Sequence, residues 1–150
     1  MSRAAIMAKI QTILQAISEF DDADVTVCDW TVLDRGGAPY AIIYPGDWTA
    51  EDYTFGGEDA VKYDWMIQID LHERYLNMAT SYAALETLQN NVLAELLKYP
   101  TLENLVQKCR PSGGNEFALT FALDGSGPHF VETTMRILAE ELVDITGGEY

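Results

Sequence analysis

A long alternating segment from Val61 to Tyr75 places the strictest constraint on the fold. Its two sets of alternating positions are apolar Tyr63, Trp65, Ile67, Ile69 and Leu71, and mostly polar Asp64, Met66, Gln68 and Asp70. Successive side chains of a β-strand point to opposite faces, so this period of two predicts a strand with one apolar and one mostly hydrated face. Such a strand belongs in a sheet that is covered on one side. It is also long enough to extend beyond a compact core.

Two segments have the periodicity of amphipathic helices. In residues 2–20, apolar side chains recur every three or four positions, at Ile6, Ile10, Ile13, Ile17 and Phe20. They form one stripe along a predicted helix. Ser2 can cap the start of this helix, and the acidic segment 21–24 (DDAD) ends it. A second helix is predicted from Thr80 to Tyr99, with the stripe Leu85, Leu88, Val92 and Leu96. Pro100 ends that helix.

Shorter β-rich segments predict further strands. They are Val25 and Val27 with Trp30 and Val32, then Tyr40–Tyr44, then Phe117–Leu123. The stretch from Gly46 to Ala60 is predicted to be a long loop, because it holds Gly56-Gly57 and has no clear periodicity. Residues 112–114 and 124–127 are glycine-containing loop signals.

The last apolar segment fits two structures. Val131, Met135, Leu138, Leu142 and Ile145 have the spacing of a helical stripe. Strict alternation from Phe130 to Ile137, together with the β-branched pair Thr133-Thr134, favours a strand instead. Periodicity leaves both interpretations open.

Length and composition indicate one folded domain, residues 1–150, with 48 % hydrophobic residues. No apolar run approaches the roughly 18 residues that a membrane-spanning helix needs. The N-terminus lacks the pattern of a cleaved signal peptide, so we expect folding in a cytoplasm. Cys28 and Cys109 are too few for a disulfide framework, and both are expected to be buried free thiols.

The composition is strongly acidic, with 24 acids against 9 bases and a formal charge of −15. Six acids lie between Glu19 and Asp34 and five between Asp47 and Asp59, without a base in either stretch. Such a surface repels a nucleic-acid backbone and disfavours ordinary DNA or RNA binding. It is either a solvated face that keeps the protein soluble or a surface that lies near DNA without adhering to it.

No pattern in the chain indicates a catalytic, cofactor or metal site. The phosphate-binding glycine loops and the G-x-S-x-G elbow are missing, and His72 and His129 match no recognised ligand spacing. Asp21–Asp24 lacks the ligand spacing of a calcium loop. We therefore expect a protein that is not an enzyme and carries no cofactor.

In their order along the chain, the segments resemble the small tail-terminator, tail-completion and neck proteins of siphophages. The resemblance covers nearly the whole chain and begins with the short N-terminal helix. Its pieces are the proline-led apolar strand at 38–46 (APYAIIYPG), the aromatic strand at 62–71 (KYDWMIQIDL), the second helix, the segment at 99–106 (YPTLENLV) and the closing segment at 130–138 (FVETTMRIL). The acidic stretch from Gly46 to Ala60 has no evident counterpart in that family.

The resemblance implies an α+β fold, in which a mixed, mainly antiparallel sheet packs against two α-helices and the closing segment is a strand. It also implies a ring, commonly a hexamer, at the head-proximal end of the tail, which stops tube polymerisation and joins the tail to the head. The implied partners are other copies of the chain, the major tail tube protein and the head–tail connector proteins. DNA would pass through the lumen without specific binding, in a virion assembled in the bacterial cytoplasm away from membranes.

Exposed strand edges and aromatic side chains are suited to joining such subunits. The residues predicted to form the interface are Trp48, Tyr53, Phe55, Tyr63 and Trp65. A simpler interpretation is that Trp65 fills the core of the monomer. Alternative functions are a head–tail connector, another minor tail protein or, outside phage biology, an adaptor or binding module, which should remain a monomer or dimer.

Overall fold

The computed structural model describes residues 3–35, 39–55, 58–115, 117–121 and 128–144. The elements in chain order are α1 (Arg3–Gln15), β1 (Val25–Val27), β2 (Tyr40–Phe55), β3 (Glu58–Arg74), α2 (Met78–Leu96), β4 (Lys108–Gly114), β5 (Ala118–Phe121) and β6 (Pro128–Asp144). The α+β class is confirmed, with one six-stranded sheet and two α-helices among the described residues. The predicted turn at 124–127 lies outside the described residues.

The sheet is mixed and mainly antiparallel, in the order β1-β2-β3-β6-β4, with β5 also paired to β6. Only β1 and β2 are parallel among the paired strands described. The long predicted strand is β3, which lies at the centre between β2 and β6. The closing segment is strand β6, so its helical interpretation is wrong. Strand β6 pairs with β3 from Phe130 to Asp144, so its alternating side chains point to opposite faces of the sheet.

Both helices pack on the same face of the sheet. The buried cluster includes Ile6, Ile10 and Leu14 of α1, Leu85, Leu88 and Val92 of α2, and Ile67, Ile69 and Leu71 of β3. Helix α1 ends at Gln15 rather than at Phe20, yet Ile17 and Phe20 remain buried in the turns that follow. We call this side of the sheet the helix face and the other side the open face.

A smaller apolar cluster lies on the open face. It consists of Val32, Tyr40, Ile42 and Phe130. Val32 belongs to a 3-10 turn at residues 31–35, so the prediction that Trp30 and Val32 continue the first strand is wrong. The strand ends after Val27, because Cys28 adopts a positive φ of 55°, where a strand cannot continue. Cys28 is exposed, contrary to prediction, while Cys109 is buried as predicted.

The predicted loop from Gly46 to Ala60 is wrong, because most of this stretch lies in β2 and β3. A bulge between Pro45 and Trp48 takes up the irregular residues, and regular pairing then continues to the pair Phe55 and Glu58. Backbone pairing does not require one buried face, so a ribbon exposed on both sides has little hydrophobic periodicity. Residues 112–114, predicted to be a loop, likewise belong to the edge strand β4.

Candidate assembly interface

The central strands extend beyond the helices that cover them. Strand β3 has 17 residues and spans roughly 55 Å, whereas α2 has 19 residues and spans roughly 28 Å. Buried positions on the helix face of β3 run from Ile67 to Leu71 and stop there. Residues 47–55, 58–65 and 139–144 form the rest of β2, β3 and β6, a three-stranded ribbon that we call the arm.

Beyond Ala139 and Glu140, which pair with β4, the edges of the arm lack a strand partner within the described residues. Strand β1 pairs with β2 only at residues 41–43, and β4 pairs with β6 no further than Glu140. Unpaired backbone groups at a sheet edge recruit another strand. The arm is therefore a surface on which a second chain can add backbone hydrogen bonds.

Three of the predicted interface residues come together on the helix face of the arm. Register places Trp48 opposite Trp65, and their ring centroids are 5.6 Å apart. Tyr63 stacks parallel on Trp65 with centroids 5.0 Å apart. Trp48 is 54 % exposed at the outer side of this group. Tyr53 and Phe55 lie on β2 by their backbones, and their side chains lie outside the described part.

Trp65 connects this aromatic group to the core. Its ring packs against the main apolar cluster, and the guanidinium carbon of Arg3 lies 5.5 Å from the ring centroid. Arg3 Nη1 also donates a 2.8 Å hydrogen bond to the carbonyl of Gly46 in the bulge. The indole of Trp65 donates to the buried carboxylate of Glu141 at 3.4 Å. Trp65 therefore stabilises the monomer, whereas Trp48 and Tyr63 form the aromatic surface of the arm.

The arm has a negative surface with one internal cation. Residues 47–64 contain six acids and a single base, Lys62. The Nζ of Lys62 lies 3.5 Å from Glu51, 3.8 Å from Asp64 and 3.4 Å from Glu140, on three neighbouring strands. The hydrogen bond to Glu140 and the neighbouring carboxylates raise the pKa of Lys62. This cation links the three strands of the ribbon, and Asp47 and Asp52 are exposed.

On the open face, Asp70 accepts two hydrogen bonds across the sheet. Tyr44 Oη donates to Asp70 Oδ1 at 2.9 Å and Thr134 Oγ1 donates to the same oxygen at 2.6 Å. Burial and the hydrogen bond to Asp70 raise the pKa of Tyr44 to about 12. These bonds link β2, β3 and β6 on the open face of the covered part of the sheet, before the arm begins.

Stability at high pH should therefore depend on Tyr44. Because its pKa rises from 10.0 to about 12 on folding, its contribution is complete below pH 10 and is lost as pH rises towards 12. Urea unfolding across this range should show a larger loss of stability in the wild type than in Tyr44→Phe. Parallel losses in the two proteins would contradict this role of the phenol.

The histidines do not form a metal site with the carboxylates around them. Within the described ranges, no group of three His, Cys, Asp or Glu side chains could hold a metal ion. His72 is buried and its Nε2 lies 2.7 Å from Glu132 Oε2, while His129 stacks on Phe130. The pair of His72 and Glu132 links β3 to β6.

The geometry could be anticipated from the sequence only in part. Trp48, Tyr63 and Trp65 are visible as aromatic residues, but their contact depends on a register that the bulge sets. Lys62 and Glu141 were missed, because their partners lie on other strands.

The helices in the described part of the chain include none that is long and apolar enough to span a membrane. Comparison of the sequence with protein-family models and with curated proteins finds no match.

Proposed function

We propose that this protein is a structural, non-catalytic subunit of a siphophage tail, of the tail-terminator or tail-completion kind. Copies join in a ring, taken to be a hexamer, at the head-proximal end of the tube. The ring stops polymerisation of the major tail tube protein and offers a docking face to the head–tail connector. The observation that carries this proposal is the arm, a long ribbon with two open edges and an exposed tryptophan.

The two open edges of the arm face in opposite directions along the sheet, since β2 and β6 flank β3. One molecule cannot pair them with each other, so each edge is available to a neighbour. An interface that uses a different patch on each partner closes into a ring when the rotation between copies allows it. Burial of exposed Trp48 at such a contact adds an aromatic anchor of the kind that dominates interface energies.

The acidic charge supports a position around DNA. A six-membered ring carries a formal charge of −90 at −15 per chain. Like charge on the lumen lets a genome slide without adhering. A neutral or basic lumen in the structure of an assembled ring would contradict this part of the proposal. A head–tail connector or another minor tail protein would share these features and differ in the partner that it binds.

Electron microscopy of negatively stained protein tests the proposal. The purified chain should form rings, and with tube subunits present the rings should cap tube ends and shorten the tubes. Rings that bind connector proteins and ignore tubes would identify a connector instead. A chain that remains monomeric or dimeric at high concentration would favour the adaptor or binding-module alternative.

A further inference from the structure

One short stretch runs against the acidic character of the chain. Residues 98–115 hold three bases and one acid. The acid, Glu103, is bound to Lys9 of α1 at 2.8 Å. The three bases, Lys98, Lys108 and Arg110, are all exposed, and we call them the basic edge.

The basic edge lies along the outermost strand of the sheet. Register pairs Lys108 with Glu140 and Arg110 with Leu138, which places both bases on the open face at β4. Lys98 follows α2 and lies close to the same strand, because the carbonyl of Pro100 accepts a hydrogen bond from Cys109 N at 2.6 Å. Its Nζ also lies 2.9 Å from Glu95, so Lys108 and Arg110 carry most of the uncompensated charge.

Two acidic residues of the arm, Asp47 and Glu51, lie on β2 at the opposite edge of the sheet and at the same level. Lys108 pairs with Glu140, Glu140 with Asp64, and Asp64 with Thr49. Asp47 and Glu51 flank Thr49 on β2 and are exposed. Copies placed edge to edge in one orientation therefore bring the acids of one molecule level with the bases of the next.

Strand β4 is poorly suited to pairing with a further strand. Pro111 has no N–H to donate, and a bulge interrupts pairing between Pro111 and Gly113. The N–H of Cys109 is already bonded to Pro100. Proline, bulges and lysine are the features with which proteins protect an edge from adding a strand. A partner can therefore contact this edge through the charged side chains of Lys108 and Arg110.

We propose that the basic edge of each copy receives the acidic β2 side of the arm of the next copy, with Lys108 and Arg110 facing Asp47 and Glu51. This inference depends on the proposed self-assembly and specifies which two surfaces meet. Because the surfaces differ and occupy opposite edges, every subunit uses each of them once, as a closed ring requires. Opposite charges also fix the orientation in which copies meet.

Charge reversal in both surfaces tests the pairing by sedimentation velocity at low salt. Lys108→Glu with Arg110→Glu, or Asp47→Lys with Glu51→Lys, should each raise the concentration for half-assembly at least about tenfold, since like charges then face each other. A mixture of the two reversed proteins should assemble better than either alone, because in an alternating ring every basic surface then meets an acidic one. The chain carrying all four changes should return to within about threefold of the wild type.

Two controls separate assembly from folding. Asp47→Lys alone leaves the contacts of Lys62 with Glu51 intact, and thermal unfolding should show it as stable as the wild type. Glu86→Lys reverses an exposed acid on α2, away from both surfaces, and should leave assembly unchanged.

The outcomes distinguish the inference from the function on which it depends. If the wild type forms rings and the reversals at the two surfaces leave assembly unchanged, the pairing is wrong while the ring remains. If Lys108→Glu with Arg110→Glu weakens only binding to tube subunits or to duplex DNA, the basic edge serves that partner and the inference is overturned. If the wild type never assembles, the proposed function is contradicted, and the pairing that depends on it is contradicted as well.

Discussion

Replacing Leu71 with alanine is expected to lower the free energy of unfolding by about 3 kcal/mol, one of the two largest effects predicted for this protein. Leu71 is fully buried on the helix face of the central strand, between Ala41 of β2 and Thr133 of β6. Truncation removes apolar contacts with the main cluster and leaves a cavity that regular strands on both sides cannot fill. Urea denaturation followed by circular dichroism measures the loss.

Leu138→Ala is the matched control, because it makes the same truncation in the same sheet. Leu138 lies on the open face opposite Met66 and is only partly buried. Its loss should cost the monomer no more than about 1 kcal/mol. Equal losses at the two positions would mean that the open face is as well covered as the helix face, contrary to the structure.

The parts of the fold that could be predicted are those with a buried face. Alternation in β3 and the stripe of α2 record which side chains meet the core, because hydrophobic burial acts at every second or every third to fourth residue. The closing segment contained the same alternation, but its spacing also fitted a helix. Only pairing with β3 from Phe130 to Asp144 decides between them.

The β2 part of the arm could not be predicted, because it has no buried face. It carries Asp47, Glu51 and Asp52 among its residues and has no buried stripe, so the pattern indicated a loop. This segment is stabilised by backbone pairing with β3 and by the cross-strand contacts of Lys62. Both depend on register and on residues that are far apart in the chain. The exposure of Cys28 follows from a positive φ that no periodicity reports.

Loss of assembly without loss of folding is the second large effect, expected for Trp48→Ala combined with Tyr63→Ala. Trp48 is more than half exposed, and both side chains lie on the uncovered part of the arm. An aromatic anchor lost from an interface costs about 2 kcal/mol or more, which corresponds to roughly a 30-fold weaker contact. Two anchors at each contact of a ring should therefore abolish rings at concentrations where the wild type forms them.

Trp30→Ala shows whether the effect belongs to the arm. Trp30 is 44 % exposed, similar to Trp48, but it lies against Tyr44 outside the arm. It should leave rings intact in negative stain and in sedimentation velocity. Trp65 is kept in all variants, because its contacts with Arg3, Glu141 and the core make it part of the monomer. If the double variant assembles like the wild type while Trp30→Ala does not, the interface lies at the other end of the sheet and the arm has another role.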